Sequence, residues 1–165
     1  MVISGGGDLS SIGGNHLIHA ARRNMDMTVV CANNSIYGMT GGQVASTTPL
    51  GSLTTTTPKG NAERPFDLCK LAEAAGATFV ARQPVATPIP LTRTLKKAIT
   101  HKGFSFVEVL SPCPTQYGRR NAFRSPFEMI QGLKNTCISG EKAKGMSAEE
   151  LTGKVVVGEF VKQSA

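Results

Sequence analysis

The sequence predicts an α/β fold, an open and mostly parallel sheet with helices on both faces. Its 165 residues, with a mass of 17.4 kDa, are enough for one compact domain. Short apolar segments alternate with helical patterns in the order βαβ, long loop, αβαβ. The apolar segments are nearly continuous, which is typical of strands that are covered on both faces.

The first βαβ unit is compact. Val2–Ser4 predicts a short strand and stops at three glycines, Gly5–Gly7. The segment Ile12–Asn24 has apolar residues at helical spacing, and Met27–Ala32 predicts a buried strand. From Asn33 to Pro65 no periodicity is present, and a loop of this length is usually functional or disordered.

The later elements follow the same rules. Gly76 is suited to end a helix, and Ser147 with Glu150 forms a capping-box pattern. The expected ranges are a helix over Phe66–Ala75, a strand over Ala77–Ala81, a linker over Pro84–Pro90, a helix over Thr92–His101, a strand over Phe104–Leu110, a helix over Pro126–Cys137 and a late strand over Lys154–Val161. We expect a single domain over 1–165, with a core at 1–125 and a C-terminal extension at 126–165.

The net charge of +7 lies entirely in the second half, where residues 82–165 have thirteen basic and six acidic side chains. Such a surface attracts anionic small molecules or an acidic protein. Nucleic acid is disfavoured, because 7 Phe, 2 Tyr and no Trp offer no stacking platform. No membrane-length apolar stretch or signal peptide is present, so we expect a cytoplasmic protein without a membrane partner.

The four cysteines, Cys31, Cys69, Cys113 and Cys137, are widely spaced. This spacing disfavours a disulfide framework or a self-contained zinc site, and most of these thiols are expected in the core.

Three segments follow strands of the predicted sheet, Gly5–Asp8, Asn33–Gln43 and Ser111–Arg120. They are candidates for binding a ligand, because ligands of open α/β sheets collect at the carboxyl ends of the strands. Gly5–Asp8 joins a strand to a helix, so its backbone N–H groups can approach a phosphate, although a tight turn alone explains the glycines equally well. Asn33 and Asn34 directly follow the next strand, and amide oxygens suit a hard cation such as Mg²⁺. Twenty-five residues separate Gly7 from Asn33, so one βα unit lies between the two segments.

This spacing resembles the thiamine diphosphate motif, G-D-G followed by N-N. Together with IGGNHLIHAARRN (12–24), NNSIYGMTGGQ (33–43), TTP (47–49) and SPCPTQYGRRN (111–121), it resembles the β subunit of 2-oxoacid:ferredoxin oxidoreductases, most of all the 2-oxoglutarate enzyme. The resemblance implies a thiamine diphosphate-binding fold and the oxidative decarboxylation of 2-oxoglutarate to succinyl-CoA. Coenzyme A, ferredoxin, and the α and other subunits are the implied partners.

The resemblance also implies roles for individual residues. Asn34, through its side chain, and Ile36, through its carbonyl, would bind Mg²⁺, and Cys113 would complete a [4Fe–4S] cluster. The residues expected around the thiamine diphosphate are Gly5, Gly6, Gly7, Asp8 and Thr40 at the diphosphate, with Tyr37, Met39, Asn15 and His16 beside the cofactor. No side chain of this chain is expected to act as a catalytic acid, base or nucleophile.

The chain departs from the family pattern in two ways. Gly6 stands where the family has the Mg²⁺-binding aspartate, so the metal site lacks one anionic ligand. The family also has an upstream region with a C-x-x-C pair and a further cluster cysteine. We therefore expect this chain to correspond to the C-terminal portion of the subunit and to be inactive in isolation.

Other functions fit the sequence less well. A branched-chain 2-oxoacid or pyruvate enzyme of the same family and an inactive thiamine-fold module both remain open. A generic nucleotide-binding domain is disfavoured, because Gly5–Asp8 has neither a Walker-type lysine nor G-x-G-x-x-G spacing.

Overall fold

A computed structural model describes residues 1–163 and confirms the predicted α/β class. The strands are β1 (Val2–Gly5), β2 (Met27–Asn33), β3 (Phe79–Pro84), β4 (Phe104–Leu110), β5 (Cys137–Ser139) and β6 (Val155–Lys162). The α-helices are α1 (Gly14–Arg22), α2 (Leu68–Ala74), α3 (Pro88–Thr100), α4 (Pro126–Thr136) and α5 (Gly140–Ala143). Two π-helical turns, Asp8–Ile12 and Pro114–Gly118, follow the first and fourth strands.

The strands form one sheet in the order β1-β2-β4-β3-β6-β5. The pairs β1–β2, β2–β4 and β3–β4 are parallel, β6 is antiparallel to β3, and the short β5 is parallel to β6. The carboxyl ends of β1, β2, β3 and β4 therefore meet at one edge of the sheet, where ligands of such folds bind.

Helices cover both faces of the sheet, as predicted. On one face α1 and α2 bury Leu17 and Leu68 against Phe106 and its neighbours, and on the other α3 buries Ala98 against Val107. Cys31 and Cys69 belong to the first of these clusters, which confirms that they are core thiols. All four cysteines are free.

Several boundaries predicted from the sequence are wrong, and local contacts explain the differences. The second helix begins at Leu68 rather than Phe66, because the Asp67 carboxylate caps it by accepting from the Lys70 N–H at 3.3 Å. The first helix was predicted from Ile12, but a π-helical turn occupies Asp8–Ile12 and α1 starts at Gly14.

The predicted linker at 84–90 is mostly secondary structure. β3 continues to Pro84, and α3 begins at Pro88, where a proline in the first turn lacks only an N–H that would have no helical partner. Ser147 and Glu150 form the predicted capping box, with Ser147 N–H donating to Glu150 at 2.7 Å, but turns rather than a helix follow it. The late strand exists as β6, while β5 and α5 were not predicted.

The long segment 34–65 contains no helix or strand, yet its own hydrogen bonds fix its course. The side-chain amide of buried Asn61 donates to the Thr48 carbonyl at 2.8 Å, and Thr48 Oγ1 donates to the Ser35 carbonyl at 2.7 Å. The Asn121 amide donates to the Leu53 carbonyl and accepts from its N–H, which ties the segment to the region after β4. Within residues 1–163, none of the helices is long and apolar enough to cross a membrane.

The segment also packs on the turn after β1. Tyr37 Oη donates to the Gly7 carbonyl at 3.0 Å, and the tyrosine ring lies so close that a Cβ atom at Gly7 would be 2.6 Å from it. Gly7 itself has an ordinary helical backbone, with φ of −63°. The space that Tyr37 occupies, rather than backbone strain, therefore requires a glycine at position 7.

This contact predicts different outcomes for two neighbouring glycines. Gly7→Ala should lower the free energy of unfolding by about 1–3 kcal/mol, because the methyl group must displace the Tyr37 ring. Gly5→Ala is the matched control, since a Cβ atom there meets nothing within 4 Å, and its effect should stay within about 0.5 kcal/mol. Urea unfolding of both variants checks this, and equal destabilisation would contradict the packing of Tyr37 on Gly7.

Candidate functional site

The glycine turn and the paired asparagines lie side by side at the edge of the sheet. β1 and β2 are parallel neighbours with Gly5 opposite Ala32, so the turn and the loop that begins at Asn33 leave the sheet together. A Cβ atom at Gly6 would lie 2.9 Å from Asn33 Oδ1, and Tyr37 bonds Gly7 as described. The loop from Asn33 to Tyr37 thus contacts the turn at both ends.

Two side-chain-to-backbone hydrogen bonds shape residues 33–36, which we term the asparagine loop. Asn33 Oδ1 accepts from the Ser35 N–H at 3.0 Å, and Asn34 Oδ1 accepts from the Ile36 N–H at 3.2 Å. Ser35 adopts the left-handed conformation, with φ of 63°. These consecutive turns hold two oxygen atoms that could bind a metal ion, those of the Asn34 amide and the Ile36 carbonyl, on one short stretch of chain.

The residues at this edge of the sheet fit a magnesium-bound diphosphate in all but one respect, the absence of a carboxylate at position 6. Oxygen atoms of amides and carbonyls suit Mg²⁺, and among residues 1–163 no hydrogen bond is made to the Ile36 carbonyl, which leaves it available to a metal. Gly6 provides no carboxylate. Asp8 is the one acidic side chain of the turn, is exposed and accepts from the Ser4 hydroxyl.

The remaining candidate residues lie further along the two segments. Met39 is 99% exposed, and neighbouring Thr40 donates to Gln43 Oε1 at 2.7 Å at the tip of the loop. Asn15 and His16 are exposed in the first turn of α1. The structure therefore brings the turn Gly5–Asp8 into contact with Asn33 and Tyr37, and Asn34 and Ile36 lie between these two residues along the chain. The cofactor contacts of all the candidate residues stay predictions.

Cys113 lies next to the asparagine loop. Its Sγ is 3.2 Å from the position of a Cβ atom at Gly38, and Asn34 Nδ2 is 3.5 Å from the same point. Burial acts to raise the pKa of Cys113, but hydrogen bonds from the backbone at Tyr117 and Gln116 stabilise the thiolate, and the pKa lies below its ordinary value. Among residues 1–163, no three His, Cys, Asp or Glu side chains are grouped to hold a metal ion. The role of Cys113 in an iron–sulfur cluster therefore stays a prediction.

A buried charged network behind the asparagine loop was not predicted. Glu108 on β4 is 2% exposed and accepts from Arg82 Nε at 2.6 Å, and Arg82 also donates to Asp67 Oδ1 at 2.5 Å. Burial disfavours the charged form of Arg82, but the neighbouring Glu108 carboxylate, the largest opposing influence, keeps the pKa of Arg82 above its ordinary value. The signal in the sequence was Glu108 within the mostly apolar strand Phe104–Leu110, with Arg82 directly after the strand predicted over Ala77–Ala81.

The network lines a cavity of about 560 Å³ between the sheet and the loops that follow its strands. Asn33 and Thr47 border the cavity on the side of the asparagine loop, and Lys154 and Phe160 border it on the side of β6. The Arg82 guanidinium lies 5.6 Å from the centre of the Phe160 ring and donates to the Val156 carbonyl at 3.3 Å. Arg82 thus links the antiparallel strand β6 to the core of the sheet.

The chain is similar in sequence to subunits of 2-oxoglutarate synthases. The chain is 60% identical over 161 residues to the 2-oxoglutarate synthase subunit KorB of Methanocaldococcus jannaschii, an alignment that covers 98% of this chain and 60% of that protein. It is 53% identical over 160 residues to the KorB subunit of Methanothermobacter marburgensis, covering 97% of this chain and 56% of that protein. The chain therefore spans little more than half the length of these relatives.

Comparison of structures gives the same result. A 2-oxoglutarate:ferredoxin oxidoreductase from Magnetococcus marinus, solved with 2-oxoglutarate, coenzyme A and succinyl-CoA bound, superposes with a TM-score of 0.81 at 32% identity, covering 98% of this chain and 55% of that one. The family model described as "Thiamine pyrophosphate enzyme, C-terminal TPP binding domain" matches residues 1–109, well over half of the chain. With a glycine turn and an asparagine loop in contact at the ends of neighbouring strands, the chain belongs to the family of C-terminal TPP-binding domains of thiamine pyrophosphate enzymes.

Proposed function

We propose that the chain is the thiamine diphosphate-binding part of the β subunit of a 2-oxoglutarate:ferredoxin oxidoreductase. The reaction is the oxidative decarboxylation of 2-oxoglutarate to succinyl-CoA, with electrons passed to ferredoxin. The contact between the glycine turn and the asparagine loop carries this proposal, because a metal-bound diphosphate needs amide donors and metal ligands within one crevice.

Similarity to relatives favours 2-oxoglutarate as the substrate. The ketoisovalerate oxidoreductase subunit VorA of Methanothermobacter marburgensis is 43% identical and its alignment covers 70% of this chain, against 53% and 97% for KorB of the same organism. A branched-chain 2-oxoacid or pyruvate enzyme is the second candidate function, and an inactive thiamine-fold module is the third.

In this proposal the chain places the cofactor. Asn34 and Ile36 bind Mg²⁺ through their oxygens, Gly5–Asp8 and Thr40 hold the diphosphate, and Tyr37 lies beside it. Met39, Asn15 and His16 complete the surroundings of the cofactor. Bound thiamine diphosphate supplies the electron sink for decarboxylation. The side chains bind and orient, and none of them acts as an acid, a base or a nucleophile.

Cys113 is proposed as one ligand of a [4Fe–4S] cluster, because a thiol with a lowered pKa is already favourable as the thiolate that iron binds. The other cluster cysteines would come from an upstream region of the subunit, so we expect no activity from this chain alone. The α and other subunits complete the enzyme. The four free cysteines suit a reducing compartment, in agreement with a cytoplasmic location.

The basic second half is proposed to meet the anionic partners. Arg119 and Arg120 are exposed just after the π-helical turn that begins beside Cys113. Their charge suits 2-oxoglutarate, coenzyme A or an acidic ferredoxin, and a purely solvated surface is the alternative.

Activity of the assembled complex tests the function. With its partner subunits, thiamine diphosphate, Mg²⁺ and coenzyme A, the complex should reduce viologen with 2-oxoglutarate at a higher kcat/KM than with 2-oxoisovalerate or pyruvate. A preference for 2-oxoisovalerate would assign the chain to the branched-chain enzyme. Cofactor binding without any 2-oxoacid-dependent reduction would favour the inactive module.

Two substitutions at Gly6 test the metal site. Gly6→Ala adds only the Cβ atom that approaches Asn33, whereas Gly6→Asp adds the same atom and a carboxylate. In calorimetric titrations with thiamine diphosphate and Mg²⁺, Gly6→Asp should bind about 10- to 150-fold more tightly than Gly6→Ala, because a polar contact with a charged group contributes roughly 1.5–3 kcal/mol. Omitting Mg²⁺ should abolish the difference. Equal affinities in the presence of Mg²⁺ would contradict a metal at this position.

The lowered pKa of Cys113 predicts its pH dependence. A thiol whose pKa is lowered stays ionised at lower pH, so alkylation of Cys113 by iodoacetamide should show a midpoint below that of the same cysteine in the unfolded chain. Cys137 is the internal control, because burial raises its pKa and its midpoint should shift upward. Peptide mass spectrometry across a pH series measures both, and a Cys137 midpoint below that of Cys113 would contradict this prediction.

A further inference from the structure

The buried network reaches the asparagine loop through one side chain. Asn33 Nδ2 donates to Glu108 Oε1 at 2.7 Å, and Glu108 Oε2 accepts from Arg82 Nε at 2.6 Å and from Cys69 Sγ at 3.5 Å. Asn33 is the last residue of β2, and its backbone lies next to β4 in parallel register. A carboxylate in the core of the sheet therefore contacts the first residue of the candidate metal loop.

Glu108 determines which way the Asn33 amide faces. An ionised carboxylate only accepts hydrogen bonds, so the amide must present its NH₂ group to Glu108 and its oxygen to the opposite side. On that side Oδ1 accepts from the Ser35 N–H at 3.0 Å and from Thr47 Oγ1 at 2.9 Å. An amide turned by 180° would place its NH₂ group against the Ser35 N–H and its oxygen against the Glu108 carboxylate, and both contacts would be repulsive.

The orientation of the Asn33 amide shapes the two ends of the site. The hydrogen bond from the Ser35 N–H to Asn33 Oδ1 supports the left-handed backbone of Ser35, whose φ is 63°. This conformation sets the position of the next residue, Ile36. The same oxygen is the nearest atom to a Cβ position on Gly6, so it also limits the space of the glycine turn. Both of the segments proposed to hold the cofactor therefore depend on one amide.

We propose that Glu108 is a positioning residue, which fixes the asparagine loop through the Asn33 amide and so prepares Asn34 and Ile36 to bind the metal of the cofactor. Glu108 touches neither metal nor cofactor. The predicted effect of Glu108 on cofactor affinity rests on the proposed function. The predicted effect of Glu108 on the asparagine loop concerns the protein alone. Groups that orient metal ligands in this way commonly change metal affinity by about 10–100-fold when they are replaced.

The test compares Glu108→Gln with a matched control, Asp67→Asn. Both replace a carboxylate that pairs with Arg82 by an amide of similar size, and both should lower the melting temperature. Only Glu108 contacts Asn33, and an asparagine at position 67 can still cap α2. A purely structural role predicts the same outcome for both variants, whereas a positioning role separates them.

The first readout is hydrogen exchange of the Ser35 amide in the full chain without cofactor, compared with the amide of Val107 in the core. We expect Glu108→Gln to reduce protection of Ser35 about tenfold or more relative to Val107, and Asp67→Asn to leave that ratio unchanged. Equal ratios in both variants would overturn the inference. Because no cofactor is needed, this result stands whether or not the proposed function is correct.

The second readout is calorimetric titration with thiamine diphosphate and Mg²⁺. Glu108→Gln should raise the Kd by about 10–100-fold, and Asp67→Asn should leave it within about twofold. Absence of binding by the unchanged chain would overturn the proposed function, while hydrogen exchange would still decide whether Glu108 fixes the asparagine loop. A Kd unaffected by Glu108→Gln would overturn the predicted effect of Glu108 on cofactor affinity.

A milder variant keeps the test decisive if Glu108→Gln does not fold. Thr47→Val removes one donor to Asn33 Oδ1 and leaves the ion pairs intact. It should reduce Ser35 protection and raise the Kd by about 2- to 10-fold, the range expected for one hydrogen bond between neutral groups. Unchanged protection of Ser35 in Thr47→Val would show that the amide does not control the loop.

Discussion

The hydrogen bond between Glu108 and Asn33 connects the interior of the sheet to the edge where the cofactor is proposed to bind. An ionised carboxylate that is 2% exposed loses its hydration, a cost of several kcal/mol that only a complete set of partners offsets. Arg82, Asn33 and Cys69 supply those partners. The core therefore tolerates this charge only while Asn33 stays in place, which links the stability of the sheet to the shape of the asparagine loop.

Order in the segment 34–65 follows from the same principle of satisfied polar groups. The segment has no helix or strand to pair its backbone, so threonine and asparagine side chains supply hydrogen bonds instead. Thr48 and Asn61 are buried and each bonds a distant carbonyl of the segment. The absence of periodicity predicted a loop without regular structure, and the contacts explain how such a loop positions a site precisely.

Features set by neighbouring residues could be predicted from the sequence, whereas those set by distant pairing could not. The buried strand before Asn33 and the glycine turn after β1 follow from local apolar patterns, and their proximity follows from parallel strand topology. The antiparallel placement of β6 rests on its backbone pairing with β3, to which Arg82 adds a hydrogen bond to the Val156 carbonyl, and these contacts join residues that are far apart in the chain. The helix α2 starts after Asp67 because the Asp67 side chain caps it. The apolar pattern included Phe66 and therefore placed the start of the helix two residues too early.

The role of Glu108 was missed for a different reason. A strand is predicted from its apolar residues, and a charged residue within it counts only as an exception to that pattern. A buried charge nevertheless requires a partner. The partner could not be identified from sequence, because Arg82 and Asn33 lie 26 and 75 positions away. Such exceptions indicate where tertiary contacts concentrate, and here they concentrate behind the candidate site.

Gly6 connects the steric and the electrostatic constraints of the site. Because a Cβ atom there would lie 2.9 Å from Asn33 Oδ1, the glycine allows the asparagine amide to adopt its observed place beside the turn. The same glycine removes a carboxylate from the proposed metal site, which leaves the neutral oxygens of Asn34 and Ile36 as ligands. A divalent cation gains little from neutral ligands alone, so most of its charge must be balanced by the diphosphate. The metal and the cofactor should therefore bind to this chain together, each increasing the affinity for the other.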